Sequence, residues 1–166
     1  YKRQDPSYPF ILTTGRLYGH WHTQTRTGRI EKIQNLHPVP ELEVNPIDAQ
    51  HLQVQTGDWV EVRSRRGAIQ VRVRATQYIR KGVVFMPMHW GFLWADAAEC
   101  NAVTHPAYCP ISLQPELKAA AVQLVAIAPP DPATAAATRT AQLSSAMVAD
   151  RSLGTIAVPQ NAHTGA

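Results

Sequence analysis

The sequence predicts a mainly β domain closed into a barrel, with one or two short helices and irregular loops. Three observations carry this. Short segments of alternating polar and apolar residues recur between turn signals; only one segment reads clearly as a helix; and continuous apolar runs such as Val83-Val84-Phe85-Met86 are of strand length.

Pro9-Phe10-Ile11-Leu12 is a short apolar run that reads as a buried strand, and a polar loop springs from its end. Glu41-Leu42-Glu43-Val44 is a second strand. Asn45-Pro46 then supplies an N-cap and a first-turn proline for a helix through Asp48-Ala49-Gln50-His51-Leu52. Thr56-Gly57-Asp58 turns the chain into Trp59-Val60-Glu61-Val62-Arg63. Ser64-Arg65-Arg66-Gly67 closes a hairpin, and Ile69, Val71 and Val73 alternate with Gln70, Arg72 and Arg74 on the return, which gives one buried and one wet face. After Arg80-Lys81-Gly82, Val83-Val84-Phe85-Met86 is a continuous apolar run, and Ala119 to Ile127 is the last strand. From about Ala128 the composition shifts to Pro, Ala, Thr, Ser and Gln with almost no aromatic residue. Residues 128–166 are therefore expected to be a disordered tail or linker, with at most a transient helix over Ala133 to Val148, and residues 7–127 the barrel.

The formal net charge is +4, and because Asp131 and Asp150 cancel Arg139 and Arg151, all of the excess lies in the barrel segment. Its bases are mixed with ten acids and few aromatics lie among them, so a localised anionic ligand fits better than nucleic acid. Arg63, Arg65, Arg66, Arg72 and Arg74 crowd one hairpin, but without stacking aromatics they read as a solvated surface or an interdomain contact. No apolar run approaches the roughly 20 residues that cross a bilayer, and a cytoplasmic location with no membrane span is expected. Tyr1-Lys2-Arg3-Gln4 is no signal peptide and reads as part of a longer polypeptide. Cys100 and Cys109 have no partners at metal-ligand spacing and are expected to be reduced thiols in or near the core.

Thr13 to Thr27 gathers glycines, hydroxyls, imidazoles and guanidinia into one loop, the composition of an anion cradle. Gly15 and Gly19 would let backbone N–H groups approach a phosphate, and Arg16 and Arg26 could fork onto its oxygens. His20 and His22 flank Trp21 at a spacing of two, so on an extended segment both imidazoles would point the same way; with no third and fourth ligand nearby, hydrogen bonding is favoured over a metal. Thr23, Thr25 and Thr27 alternate, as on a strand face, and could equally donate to phosphates. His89-Trp90-Gly91 follows the apolar run where a barrel strand ends and a pocket could open. The self-contained phosphate-binding and nucleophile motifs are absent, and Asp96 and Glu99, the carboxylates near the polar loops, lack an evident apolar pocket to tune them. No catalytic residue is assigned; the residues describe a binding domain for something anionic.

Leu12-Thr13-Thr14-Gly15-Arg16 with His20-Trp21-His22-Thr23 resembles the loop opening the C-terminal domain of molybdopterin-dinucleotide oxidoreductases of the dimethyl sulfoxide reductase superfamily. Asn45-Pro46-Ile47-Asp48-Ala49, Thr56-Gly57-Asp58-Trp59-Val60, Ser64-Arg65-Arg66-Gly67 and Lys81-Gly82-Val83-Val84-Phe85 recur in that domain in this order. So do Asn101-Ala102-Val103-Thr104, Pro110-Ile111-Ser112 and Gln114-Pro115-Glu116-Leu117-Lys118. Within the superfamily the first loop, His89-Trp90-Gly91 and the last of these motifs are most similar to assimilatory nitrate reductases of the cyanobacterial type. Formate dehydrogenases, which share the first loop in similar form, are the alternative inside the family, and a stand-alone nucleotide-binding barrel the alternative outside it.

The resemblance implies a double-psi β-barrel that clasps a bis(molybdopterin guanine dinucleotide) cofactor carrying molybdenum. Carried over by position, Thr14, Gly15, Arg16, His20, Trp21, His22 and Thr23 would wrap the cofactor, and Asn101 and Lys118 would be later contacts. Met88 departs from periplasmic nitrate reductases, which place a tryptophan there. The resemblance further implies that a [4Fe–4S] cluster and the molybdenum ligand belong to upstream domains of the same polypeptide. Electrons would come from ferredoxin or another donor, and this chain alone would not be catalytic.

Overall fold

The computed structural model describes residues 4–91, 93–95 and 97–131. The expected tail helix over Ala133 to Val148, Asp96 and most of the 128–166 segment lie outside the described residues.

Six strands form the wall: β1 (Phe10–Gly15), β2 (Glu41–Val44), β3 (Trp59–Arg63), β4 (Ala68–Ala75), β5 (Val83–Pro87) and β6 (Ala120–Ile127). They close in the order β1-β5-β2-β4-β3-β6. Two pairs are parallel, β1 with β5 (Leu12 opposite Val84) and β2 with β4 (Leu42 opposite Val73), and the rest are antiparallel. This closed mixed sheet is a double-psi barrel.

The period-two pattern sets which side chains enter. Leu12, Leu42, Val44, Val60, Val62, Ile69, Val71, Val73, Val84, Met86, Val122 and Leu124 come from all six strands and make one buried core. Burying each contributes roughly 1.5–3 kcal/mol. The run Val83-Val84-Phe85-Met86 is not buried on both faces. Val84 and Met86 point inward while Val83 and Phe85 are half-buried outside, because closure leaves each strand one interior face. On the wet face the hairpin arginines are engaged within the chain: Arg63 pairs with Glu61, Arg65 with Asp5 at 2.5 Å, and Arg74 with Glu43 at 3.7 Å. Arg72 lies over the Trp59 ring at 5.5 Å.

Helix α2 (Pro46–His51) starts where Asn45 and Pro46 predict, with Asn45 Oδ1 accepting from the Ile47 N–H at 3.0 Å. Asn45 Nδ2 also donates to the Ile79 carbonyl at 2.8 Å, and Asp48 accepts from the Gly82 N–H at 2.6 Å, so α2 plugs the end of the barrel where β2 and β4 finish. A one-turn helix, α1 (Glu31–Gln34), and a 3₁₀ turn at Cys100–Ala102 lack a sequence signal strong enough to predict them. No helix among the described residues is long and apolar enough to cross a membrane.

The strand directions alternate along the chain, so the connections 16–40, 64–67 and 88–119 all leave one end, and 45–58 and 76–82 leave the other. Both long loops therefore meet at one end of the barrel.

Asn45→Ala removes a cap and a cross-barrel hydrogen bond together. It is expected to lower the unfolding free energy by about 1–2 kcal/mol, read as a reduced urea midpoint with unchanged m-value.

Candidate functional site

All nine sequence-predicted binding residues stand at the long-loop end. Thr14 and Gly15 finish β1; Arg16, His20, Trp21, His22 and Thr23 occupy the loop that follows; Asn101 lies in the 3₁₀ turn; and Lys118 precedes β6. Long-range hydrogen bonds tie these pieces together. Thr14 Oγ1 donates to the Leu117 carbonyl at 2.8 Å, and Lys118 Nζ donates to the Thr14 carbonyl at 2.7 Å. The Met88 N–H donates to the Gly15 carbonyl at 2.9 Å, carrying the β1–β5 pairing one residue beyond Pro87. Asn101 is brought in by the hairpin, where Arg66 Nη2 donates to the Val103 carbonyl at 3.1 Å. A Cβ on Gly67 would lie 2.8 Å from the Ala102 carbonyl oxygen, so only glycine fits there.

The loop after β1 is not extended. His22 (φ 41°) and Gln24 (φ 64°) are left-handed, and tight turns run from His22 to Arg29. The expectation that His20 and His22 point the same way therefore fails. His20 is buried, its Nδ1 3.3 Å from Thr27 Oγ1, whereas His22 is exposed, its Nε2 3.5 Å from an Arg16 guanidinium nitrogen. Thr23, Thr25 and Thr27 do not share a strand face either. Thr27 is buried and accepts from the Trp21 N–H at 3.1 Å, while Thr23 and Thr25 are exposed. Arg26 stacks on Trp21, its guanidinium carbon 5.3 Å from the ring centre.

The nine residues thus divide by burial. Thr14 and His20 are buried and bonded within the protein. Arg16, Trp21, His22, Thr23, Asn101 and Lys118 are exposed, with Gly15 half-buried against Phe85. Burial is the main cause that lowers the His20 pKa, assisted by the neighbouring His89 and His37, so its ring is held neutral. Among the described residues no group of His, Cys, Asp or Glu could hold a metal ion. Cys100 and Cys109 are both free; burial, then Glu99, pushes the Cys100 thiol up to about 11, which leaves it protonated and inert.

Several residues of the site escape single-sequence reasoning. A cavity of about 610 Å³ opens between the two long loops, lined by Thr23, Thr25, Arg29, Gly91, Leu93, Trp94 and Glu99. A Cβ on Gly91 would meet only open space, whereas one on Gly28 would lie 2.3 Å from the Trp94 ring, so the second loop rests directly on the first. His89 is fully buried and bonded to the first loop. Arg29 carries a signal only in composition, whereas His89 and Gly91 are marked by their place after a strand and by the motif His89-Trp90-Gly91.

Comparison with known proteins agrees with this architecture. Residues 10–121 match the family described as "Molydopterin dinucleotide binding domain". The chain is 60% identical over 123 residues to a nitrate reductase of Synechocystis sp., covering 74% of this chain. It is 44% identical over 120 residues to the alpha subunit of a formate dehydrogenase of Methanocaldococcus jannaschii, covering 72%. In each case the match spans only 17% of the relative's length. Acetylene hydratase from Pelobacter acetylenicus shares the fold, with a TM-score of 0.62 at 17% identity over 72% of this chain and 18% of that one. By residues matched, strand order and loop placement alike, the chain belongs to the molybdopterin dinucleotide-binding domain family.

Proposed function

We propose that this chain is the cofactor-clasping domain of a molybdenum-dependent nitrate reductase and holds part of a bis(molybdopterin guanine dinucleotide). The observation that favours nitrate is the 60% identity to one nitrate reductase, against 44% to a formate dehydrogenase over nearly the same segment; a second nitrate reductase stands at 37%, so the reading rests on the first alone.

The residues at the long-loop end fit an anionic dinucleotide. Arg16 and His22 present cationic and hydrogen-bonding groups side by side. Thr23, Thr25 and Arg29 line a cavity together with Glu99 and with Gly91, where a Cβ would meet only open space. Arg16 would fork onto phosphate oxygens, Thr23 and Thr25 would donate to them, and Asn101 and Lys118 would take polar groups of the cofactor from the opposite loop. When bound, the molybdenum centre supplies the two-electron removal of one oxygen from nitrate to give nitrite. The role of this chain is placement and electrostatics.

The same end also supports a partner domain. Ten of the twelve exposed large hydrophobic residues among those described lie in the two long loops, including Tyr18, Leu36, Leu93, Ile111 and Leu113. Such a concentration supports reading this end as one that another protein domain would cover. Upstream domains of the same polypeptide would close over the cofactor there and carry the [4Fe–4S] cluster. Ferredoxin or another donor would feed that cluster in the cytoplasm, and residues 128–166 would serve as a tail or linker outside the barrel.

The purified full-length parent should contain molybdenum and about four irons and should reduce nitrate with a reduced viologen dye. Formate oxidation instead would move it to the formate dehydrogenases, and absence of molybdenum would leave a stand-alone nucleotide-binding barrel.

In the same parent, Arg16→Ala should lower molybdenum per polypeptide by about tenfold, the loss of one charge-assisted contact, with the barrel's melting temperature unchanged because Arg16 is exposed. Equal molybdenum in variant and wild type would remove this loop from the cofactor site.

A further inference from the structure

We infer that His89 is a positioning residue whose neutral imidazole stitches the loop carrying Arg16 and His22 to the barrel, making the shape of the anion cradle dependent on one buried proton. The inference rests on the cofactor-binding reading of that loop.

The ring is fully buried just past the end of β5, and it reaches back 72 residues to the Leu17 N–H, which donates to its Nε2 at 2.8 Å. Its Nδ1 donates to the His22 carbonyl. Both partners are backbone groups with fixed roles, an amide that can only donate and a carbonyl that can only accept. They therefore select the neutral tautomer protonated at Nδ1. The other neutral tautomer fails both contacts, and an imidazolium would turn a second donor against the Leu17 N–H.

The two stitched positions bracket the loop. Pinning Leu17 fixes Arg16 as it leaves β1. Pinning the His22 carbonyl holds a non-glycine residue at φ 41°, a conformation that needs outside support, and so keeps the His22 ring beside Arg16.

The surroundings keep the proton off. Burial is the first cause lowering the His89 pKa; its hydrogen bond to His22 opposes this, and the charges of Arg16, His22 and His37 act with burial. His20 packs against the ring at 5.2 Å between centroids and is itself lowered. A histidine whose folded pKa lies below the ordinary 6.5 contributes stability that is complete above 6.5 and lost as pH falls through the folded value. The stitch therefore holds at neutral pH and opens on acidification.

The test uses the full-length parent with His89→Ala and His89→Gln; glutamine keeps one donor and one acceptor and has no proton to gain. Molybdenum retained after dialysis between pH 8 and pH 5 should fall below pH 6.5 in wild type, fall less in His89→Gln, where His20 remains to gain a proton, and be low throughout in His89→Ala. A second readout at pH 7.5, limited trypsin cleavage after Arg16 and Arg26 in the cofactor-free protein, should be on the order of tenfold faster in His89→Ala and near wild type in His89→Gln. Retention and cleavage in His89→Ala that match wild type, or a pH profile in His89→Gln that follows wild type, would overturn the inference. A wild-type parent without molybdenum at any pH would instead overturn the cofactor reading, while the cleavage rates would still decide the role of His89.

Discussion

Parallel pairing inside a closed sheet is the constraint from which the rest follows. Parallel neighbours cannot be joined by a tight turn, so pairing β1 with β5 and β2 with β4 requires long excursions between partners. Strand direction alternates along the chain, which sends the 16–40 and 88–119 loops out of the same end. Residues as distant as Thr14, Asn101 and Lys118 become neighbours of one rim because of that geometry, and the opposite rim is left to α2 and short turns.

How much of this was legible in the sequence depends on where the physics is local. A strand that is half in and half out writes its period into the chain, so Glu41 to Val44 and Trp59 to Arg63 match their expected bounds, and Asn45-Pro46 announces α2. The loop after Gly15 obeys no period, because no neighbouring strand holds it extended. Reading alternation into His20 and His22, or into Thr23, Thr25 and Thr27, imposed a strand rule on a segment that turns at His22 and Gln24. His89 could be flagged from its place after β5, but its partners at Leu17 and His22 could not, since nothing local connects them. The family motifs pointed to nine residues that the fold brings to one rim, without saying which of them are buried and which are exposed.

Charge is distributed in two ways over the same surface. On the barrel wall, Arg63, Arg65 and Arg74 meet acids and Arg72 meets Trp59, so the basic hairpin is largely neutralised where it stands. At the loop end Arg29 lines an open cavity with Thr23, Thr25 and Glu99, and Arg16 lies beside the His22 ring. A modest net charge of +4 thus becomes a local field at one rim, which is what an anionic ligand bound at one place requires.

The buried polar residues argue the same division from the inside. Of the eight among those described, all but Asp48 lie at the long-loop end: Thr14, His20, Gln24, Thr27, Ser64, His89 and Thr104. Burying polar groups costs stability unless they are bonded, so a fold has no reason to gather them at one end for packing alone. What most of them bond explains the placement. Thr14 takes the Leu117 carbonyl, Ser64 the Arg66 N–H, Thr104 the Asn101 carbonyl, Thr27 the Trp21 N–H, and His89 the backbone at Leu17 and His22. Each spends a side chain on shaping backbone, and Arg16, His22, Thr23 and Asn101 remain exposed at the rim. Lys118 stands on both sides of this division, exposed at the rim yet donating to the Thr14 carbonyl, so it is the one of these groups that would exchange an internal bond for a ligand.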